Sequence, residues 1–314
     1  MQKDLQQLYD EFIRELRVIA RFSEKTLEGL ECRFKIFKEL MPDIQISMIN
    51  DLMMVDFFEK LQNRKRVVGK GTIKTGVKKG TIATYRNGFN KFFDWLIKKG
   101  YLDENPFDKM PYPRVDERVP RYLKKEEVEQ IITAIQLNIK WLNLFVQKRN
   151  MAIIAIMLFC GLRKGEVINL KIYDIDMSRR LLTVIGNTSK SQRDRTIKIN
   201  NSAYKYLLDY LHERERKKYL TPYFFVSNNL DGKLTEHGFK HLIEDLNKKS
   251  GVKFTAHQFR HTFAVNLVMN NISIVKISEW MGHADIKTTA KYLRSLPINS
   301  EHCDLEKLTI SSLY

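Results

Sequence analysis

At 314 residues, with ordinary apolar content and few glycines or prolines, the chain is long enough for two domains that each bury a core, and its composition argues against disorder. Its longest apolar run, "MAIIAIMLFCGL" at 151–162, is too short to span a bilayer, the acidic amphipathic N-terminus is no secretory signal, and Cys32, Cys160 and Cys303 lack CxxC spacing, which together suggest a cytoplasmic protein with no membrane partner. A net charge of +17 points to a polyanionic partner, and nucleic acid is the commonest.

The first third reads as helices. Leu5, Leu8, Phe12 and Leu16 recur at helical spacing, and "SEKTLEGLECRFKIFKELMP" follows with Ser23 as N-cap and Pro42 beyond its end. A third segment, "INDLMMVDFFEKLQN", leads into "RKRVVGKGTIKTGVKK" at 64–79, which holds seven basic residues and no acid and reads as a loop. Residues 1–116 carry 22 Lys/Arg against 17 Asp/Glu, so removing this stretch leaves the remainder slightly acidic. Such concentration is unlike a generally solvated basic surface and makes Arg64, Lys65, Arg66, Lys70, Lys74, Lys78 and Lys79 candidate DNA contacts. A fourth helix places Ile82, Tyr85, Phe89, Phe92 and Leu96 on one face, a stripe expected in a core, and Gly100 supplies its C-terminal stop. Four of the seven prolines then fall within 105–123, a composition that suits a linker.

Beyond it, "KKEEVEQIITAI" reads as a helix and "NMAIIAIMLFCGL" as a helix buried all round. "RRLLTVIGNTSKSQRDRTIKIN" switches to strand patterning, two β-prone runs around a polar turn. Helices dominate again to about residue 294, with a short candidate strand at "YFFVS".

Four stretches of this second part carry reactive side chains. "CGLRKGEVINL" sets Arg163 at a helix start with Glu166 three residues on, close enough to hold the guanidinium. "TAHQFRHTFAVNL" puts His257 and Arg260 on one helix face, and "MGHADIKTTAKYLR" supplies His283 and Tyr292. The hairpin turn supplies Lys190, with Arg193 and Arg195 beside it as further candidate DNA contacts. Singly each has a bland explanation in packing or surface charge. Together they form a set suited to anion binding and proton transfer, without a carboxylate cluster for magnesium. The i, i+4 histidines of "HQFRH" do not make a zinc protease motif, because Gln258 stands where the catalytic Glu would be needed.

In order and spacing, "GLRKGE", "HQFRH" and "GHADIKTTAKY" resemble the motifs of the tyrosine recombinases, the family of phage integrases, Xer-type resolvases and mobile-element integrases. The resemblance covers residues 120–296 closely. It implies a mainly α fold with a small antiparallel sheet in the C-terminal domain: a helical core-binding domain over 1–112, a Pro-rich linker over 113–122, a catalytic domain over 123–296 and a tail over 297–314 that packs in cis or docks on a neighbour. It further implies that Tyr292 attacks a scissile phosphate, that Arg163, Arg260 and His283 bind that phosphate, that His257 helps with the phenol proton and that Lys190 protonates the departing 5′-oxygen. Glu166 and His261 would support them. No cofactor or metal is implied. The partners would be duplex DNA, further copies in a tetramer on two sites, and an accessory directionality factor. The turn is longer than the family's compact hairpin, so Arg193 and Lys198 compete with Lys190, and "KG" after Arg163 replaces an apolar-Ser pair. Two other readings stand beside this one: a DNA-binding regulator or decayed recombinase without catalysis, and a type IB topoisomerase-like nicking-closing enzyme.

Overall fold

Asp4 opens the first helix, α1 (Leu5–Val18), by accepting from the Gln7 amide while the Gln7 side chain accepts from the Asp4 amide, a reciprocal cap that satisfies two donors the helix leaves open. Ser23 caps α2 (Glu24–Leu40) and Asn50 caps α3 (Asp51–Asn63) more simply, each side chain accepting one backbone amide, of Thr26 and Met53 respectively. The fourth helix, α4 (Lys79–Lys98), ends where Gly100 adopts a left-handed φ of 74°. The structure, a computed structural model, describes residues 3–69, 71–114, 120–186, 194–228 and 231–295. Its two compact units are Met1–Glu117 and Arg118–Tyr314. Much of the linker expected at 113–122 and the whole tail at 297–314 lie outside the described residues.

An aromatic core unites the first unit. Tyr9 stacks on Phe34 with centroids 3.7 Å apart, and Phe37, Phe57, Phe89 and Phe92 meet edge to face or tilted. Tyr85, Phe89, Phe92 and Leu96 of the α4 stripe are buried, so the stripe is core. Trp95 stays close to this core because its Nε1 donates to Glu15 on α1 at 2.8 Å.

The basic stretch departs from the expected loop. Residues Lys65–Val68 and Thr72–Thr75 form an antiparallel hairpin, β1 and β2, with Arg66 opposite Lys74 and Val67 opposite Ile73. The reason is local. Val67, Val68, Thr72, Ile73 and Thr75 are β-branched, and Gly69 and Gly71 supply the positive φ that a tight connection needs. Lys70 lies outside the described residues.

In the second unit, α5 (Lys125–Thr133) precedes α6 (Leu144–Cys160), whose residues from Arg149 to Leu158 are all buried. Around α6 pack α8 (Asn201–Arg216) and α10 (Ala256–Met269). A short helix α7 (Lys164–Asn169) follows α6 and leads to a three-stranded antiparallel sheet, β3 (Ile175–Asp176), β4 (Leu181–Val184) and β5 (Arg195–Lys198), in the order β3-β4-β5. The expected hairpin is β4–β5, and residues 187–193 of its turn, with Lys190 and Arg193, lie outside the described residues. "YFFVS" forms only isolated bridges, because the Tyr210 hydroxyl takes the Val226 amide and donates to the Phe224 carbonyl that a strand partner would have used. The chain continues through α9 (Glu236–Ser250), α11 (Ile274–Met281) and α12 (Ile286–Ala290). Phe263, Val265, Val268, Ile277, Met281 and Tyr292 form a small core of their own between these last elements.

Gly161, at the end of α6, fixes how closely α6 meets α10. Its φ is +66°, and a Cβ there would lie 2.3 Å from Cδ1 of Phe263. Gly161→Ala should therefore cost at least ~2 kcal/mol, from the left-handed conformation plus the clash, read as a lowered urea midpoint. Gly165→Ala, whose Cβ would meet nothing within 4 Å, should leave the midpoint unchanged or raise it.

Candidate active site

Three elements converge on one carboxylate. Arg163 occupies the N-cap of α7, so its own amide points along the helix start and donates to Oε2 of Glu166 at 2.8 Å. Its Nη1 donates to Oε1 of the same carboxylate at 2.8 Å, the contact that the i, i+3 spacing predicted. From β5, Arg195 forks onto both oxygens, Nη1 to Oε1 at 3.1 Å and Nη2 to Oε2 at 2.6 Å. Arg260, on α10, brings Nη1 to 4.0 Å from Oε2. Glu166, Arg195 and Arg260 are all buried, and the Arg163 side chain keeps 21% exposure.

The remaining guanidinium donors go to backbone carbonyls at the end of α11. Arg195 Nε donates to Trp280 at 2.8 Å, Arg260 Nη2 to Met281, and Arg163 Nη2 to Gly282 at 3.0 Å. Three arginines thus take three consecutive carbonyls at a helix C-terminus, where the helix dipole favours positive charge. Arg260 Nη1 also donates to the Gly161 carbonyl at 2.6 Å. Burial first, then the neighbouring Arg163, pushes Arg260 down to about 9, so it remains charged at neutral pH. Burial alone would raise the Glu166 pKa, but its bonds to Arg195 and the Arg163 amide win and hold it below the usual carboxylate value.

Gly282 ends α11 with φ 58°, and the next residue is His283. Its Nδ1 lies 2.8 Å from the hydroxyl of Thr289, which is fully buried. Tyr292 follows α12, its amide donating to the Thr289 carbonyl at 3.0 Å. The Tyr292 ring is 3% exposed, and its hydroxyl lies 2.8 Å from Nδ1 of His261. His257, one turn earlier on α10, meets the His261 ring edge-on at 4.5 Å and is itself exposed. Burial raises the Tyr292 pKa, partly offset by Arg260 and Arg163. Burial, then the neighbouring positive charges, takes His261 down to about 4 and His283 to about 3, so both imidazoles are neutral at pH 7. Among the described residues, no group of three or more His, Cys, Asp or Glu is placed to hold a metal ion.

Arg163, Glu166, His257, Arg260, His261, His283 and Tyr292 therefore come together, whereas Lys190 lies outside the described residues. Two departures stand out. Arg195, expected on the DNA surface, is buried with a side-chain exposure of 3% and serves as the strongest partner of Glu166. The signal was the alternation of "RTIKI": Arg195, Ile197 and Ile199 share the inward face of β5 and the residue after it. His261, expected in support, rather than His257, faces the phenol. Of the basic-stretch residues, Lys65, Lys74, Lys78 and Lys79 are exposed, while Arg64 pairs with Glu39 at 3.1 Å and Arg66 donates to the Gly76 carbonyl.

Arginines gathered on one buried carboxylate, with neutral imidazoles and a tyrosine hydroxyl close by, form a set suited to anion binding and proton transfer. The chain is a member of the phage integrase family, which it matches over residues 121–297. It is 27% identical to the tyrosine recombinase XerD of Listeria innocua over 293 residues, 91% of this chain and 93% of that one. The tyrosine recombinase XerC of Anoxybacillus flavithermus is 25% identical over 291 residues, 90% of each chain. Among solved structures, the Tn1549 transposon integrase in complex with a circular intermediate DNA aligns with a TM-score of 0.76 at 20% identity, over 98% of this chain and 100% of that one. The chain is a tyrosine-type site-specific recombinase, and none of its described helices is long and apolar enough to cross a membrane.

Removing the central charge would strand buried cations. Glu166→Gln should cost ~3–5 kcal/mol in unfolding free energy, well beyond a surface ion pair. The histidines give a pH signature. Their folded pKa values of about 4 and 3 lie below the unfolded 6.5, so the unfolded chain binds more protons in that window. Stability fully present above pH 6.5 is lost as pH falls towards 4. Thermal unfolding of the DNA-free protein should drop from pH 7 to pH 5, and the drop should shrink in the His261→Gln, His283→Gln double variant.

Proposed function

We propose that Tyr292 is the nucleophile, and that its phenolic oxygen attacks the scissile phosphorus to form a 3′-phosphotyrosyl bond while the bond to the 5′-oxygen breaks. The observation that carries this reading is the Tyr292 hydroxyl, 2.8 Å from a neutral His261 and within the field of Arg260 and Arg163, two of the arginines gathered on Glu166. His261 Nδ1 accepts the phenol proton at attack, and His257 stands next to it as the second imidazole. Arg163 and Arg260 supply guanidinium charge to the non-bridging oxygens, where a planar fork suits phosphate. With the Thr289 hydroxyl donating to Nδ1, His283 carries its proton on Nε2 and can donate it to the same phosphate without being charged. Lys190 protonates the leaving 5′-oxygen, which departs as a 5′-hydroxyl. Covalent storage of the phosphodiester energy lets a second strand's 5′-hydroxyl rejoin without a nucleotide cofactor, so paired cleavages exchange strands through a Holliday junction.

The reading extends to assembly. A tetramer on two duplex sites would hold four such centres, with the tail at 297–314 packing in cis or on a neighbour and an accessory factor setting direction. Service to a mobile element and a cytoplasmic location fit the integrase and Xer relatives. A non-catalytic DNA binder has no use for a tyrosine hydroxyl held on a neutral histidine.

On a nicked duplex carrying its recombination site, the wild type should leave a covalent protein–DNA band. Tyr292→Phe should bind and leave none, and an adduct with that variant would remove Tyr292 as nucleophile. His261→Ala should slow single-turnover cleavage by about 10²-fold with binding retained, the usual worth of a general base. Cleavage at the wild-type rate would return the proton to His257.

A further inference from the structure

We propose that the β1–β2 hairpin reads base identity in the DNA major groove, with the exposed Val67–Ile73 pair seated against thymine methyl groups; this rests on the recombinase reading above. Val67 and Ile73 sit directly opposite each other and are 70% and 67% exposed. Lys65 and Thr75, paired one step along on the same face, are exposed as well. This face contributes nothing to the aromatic core of its unit. A two-stranded ribbon is marginal alone in water, and a β-branched apolar pair at its centre gains nothing there unless a partner covers it.

Charge selects the partner. Between Glu59 and Asp94 the sequence has ten lysines and arginines and no acid; on the ribbon itself Lys65 shares the face of the apolar pair and Lys74 lies on the opposite face. A surface both strongly basic and locally apolar matches the major groove, where thymine methyls lie between two rows of phosphates. The dimensions agree: strands ~4.8 Å apart form a ribbon that a groove ~12 Å wide admits. The hairpin is also held firmly at its base. Gly76 donates to the Arg64 carbonyl at 3.0 Å, Arg66 Nε donates to the Gly76 carbonyl at 3.1 Å, and Arg64 pairs with Glu39 of α2 at 3.1 Å. Gly76 lies so close to α3 that a Cβ would meet the Gln62 carbonyl at 2.6 Å. A reader must be presented stiffly to discriminate, and this one is.

The division of labour within the hairpin follows. Lysines attract any duplex, whereas the apolar pair distinguishes thymine from its neighbours by one methyl. Val67→Ser with Ile73→Ser keeps every charge and supports no core, so the double variant should keep the wild-type unfolding midpoint.

Selection of bound duplexes from a randomised pool, using the full chain, should enrich a thymine-bearing site for the wild type and lose preference at those positions in the double variant. Replacing each such thymine by deoxyuridine removes only the methyl. It should weaken wild-type binding roughly fourfold per contacted position, the worth of ~0.8 kcal/mol for one buried methyl, and leave the double variant unaffected. The salt dependence of the two proteins should be the same, whereas Lys65→Gln with Lys74→Gln should lower its slope by up to about two, one per phosphate lost. Identical selected sites and identical deoxyuridine responses in both proteins would overturn the proposal while leaving the recombinase reading intact. So would a double variant altered only in how many subunits load on DNA, since the pair would then contact protein. A wild type that selects no sequence would instead strike at the recombinase reading itself.

Discussion

The carboxylate of Glu166 is the point on which the second unit depends. Transferring a carboxylate and two guanidinium groups out of water costs several kcal/mol per ion, and only near-complete hydrogen bonding offsets it. Glu166 provides that for Arg163 and Arg195 directly and stands 4.0 Å from Arg260, so one negative charge serves three positive ones. The carbonyls of Trp280, Met281 and Gly282 complete the arrangement from the other side. Through them, α7, β5, α10 and α11 are tied together by charge-assisted bonds as well as by apolar packing. Because α11 ends at this point, His283 emerges from it in a fixed direction.

The imbalance within that cluster has a chemical consequence. Three guanidinium groups against one carboxylate leave an excess of about two positive charges, which the phosphodiester of the proposed reaction would partly neutralise. The guanidinium groups are already oriented by their protein partners, so that reaction would need little reorganisation as charge builds in its transition state. The fold tolerates a partly unsatisfied electrostatic site because Arg163, at its mouth, retains access to water. Tyr292 illustrates the same compromise: its ring completes a small apolar core while its hydroxyl is kept on His261. Packing and the proposed chemistry fall to different ends of one side chain.

Much of this was legible in the sequence because helical spacing is a local property. Arg163 and Glu166 at i, i+3, and His257 and Arg260 at i, i+3, had to share faces once their segments were helical. Arg195 was harder. In sequence it follows Lys190 and Arg193 in a polar, basic stretch, and only the two-residue alternation with Ile197 and Ile199 marks its side chain as inward. The choice between His257 and His261 could not come from spacing, since both lie on the face of α10 that carries Arg260. It depends on where the chain returns after α12, a tertiary fact. The hairpin was misread for a different reason: three glycines and seven charges outweighed five β-branched residues whose alternation spans only four positions per strand.

A separation of tasks follows from the chemistry. The group attacked is a phosphodiester, and phosphodiesters are the same at every step of a duplex, so a site built from arginines and histidines cannot by itself choose where to cut. Selectivity has to be imposed by surfaces that see base edges and then position the scissile phosphate at the proposed nucleophile, Tyr292. The described residues proposed for catalysis are buried or half-buried, His257 excepted, and offer little surface for such reading. The first unit offers the opposite. Its core is closed and aromatic, and its strongest concentration of charge lies in and beside one hairpin that carries an exposed apolar pair at its centre. An enzyme that must hold a covalent intermediate at one site and ignore all others gains from keeping the two functions on separate cores, because substitutions that retune the ribbon then leave the Glu166 cluster untouched.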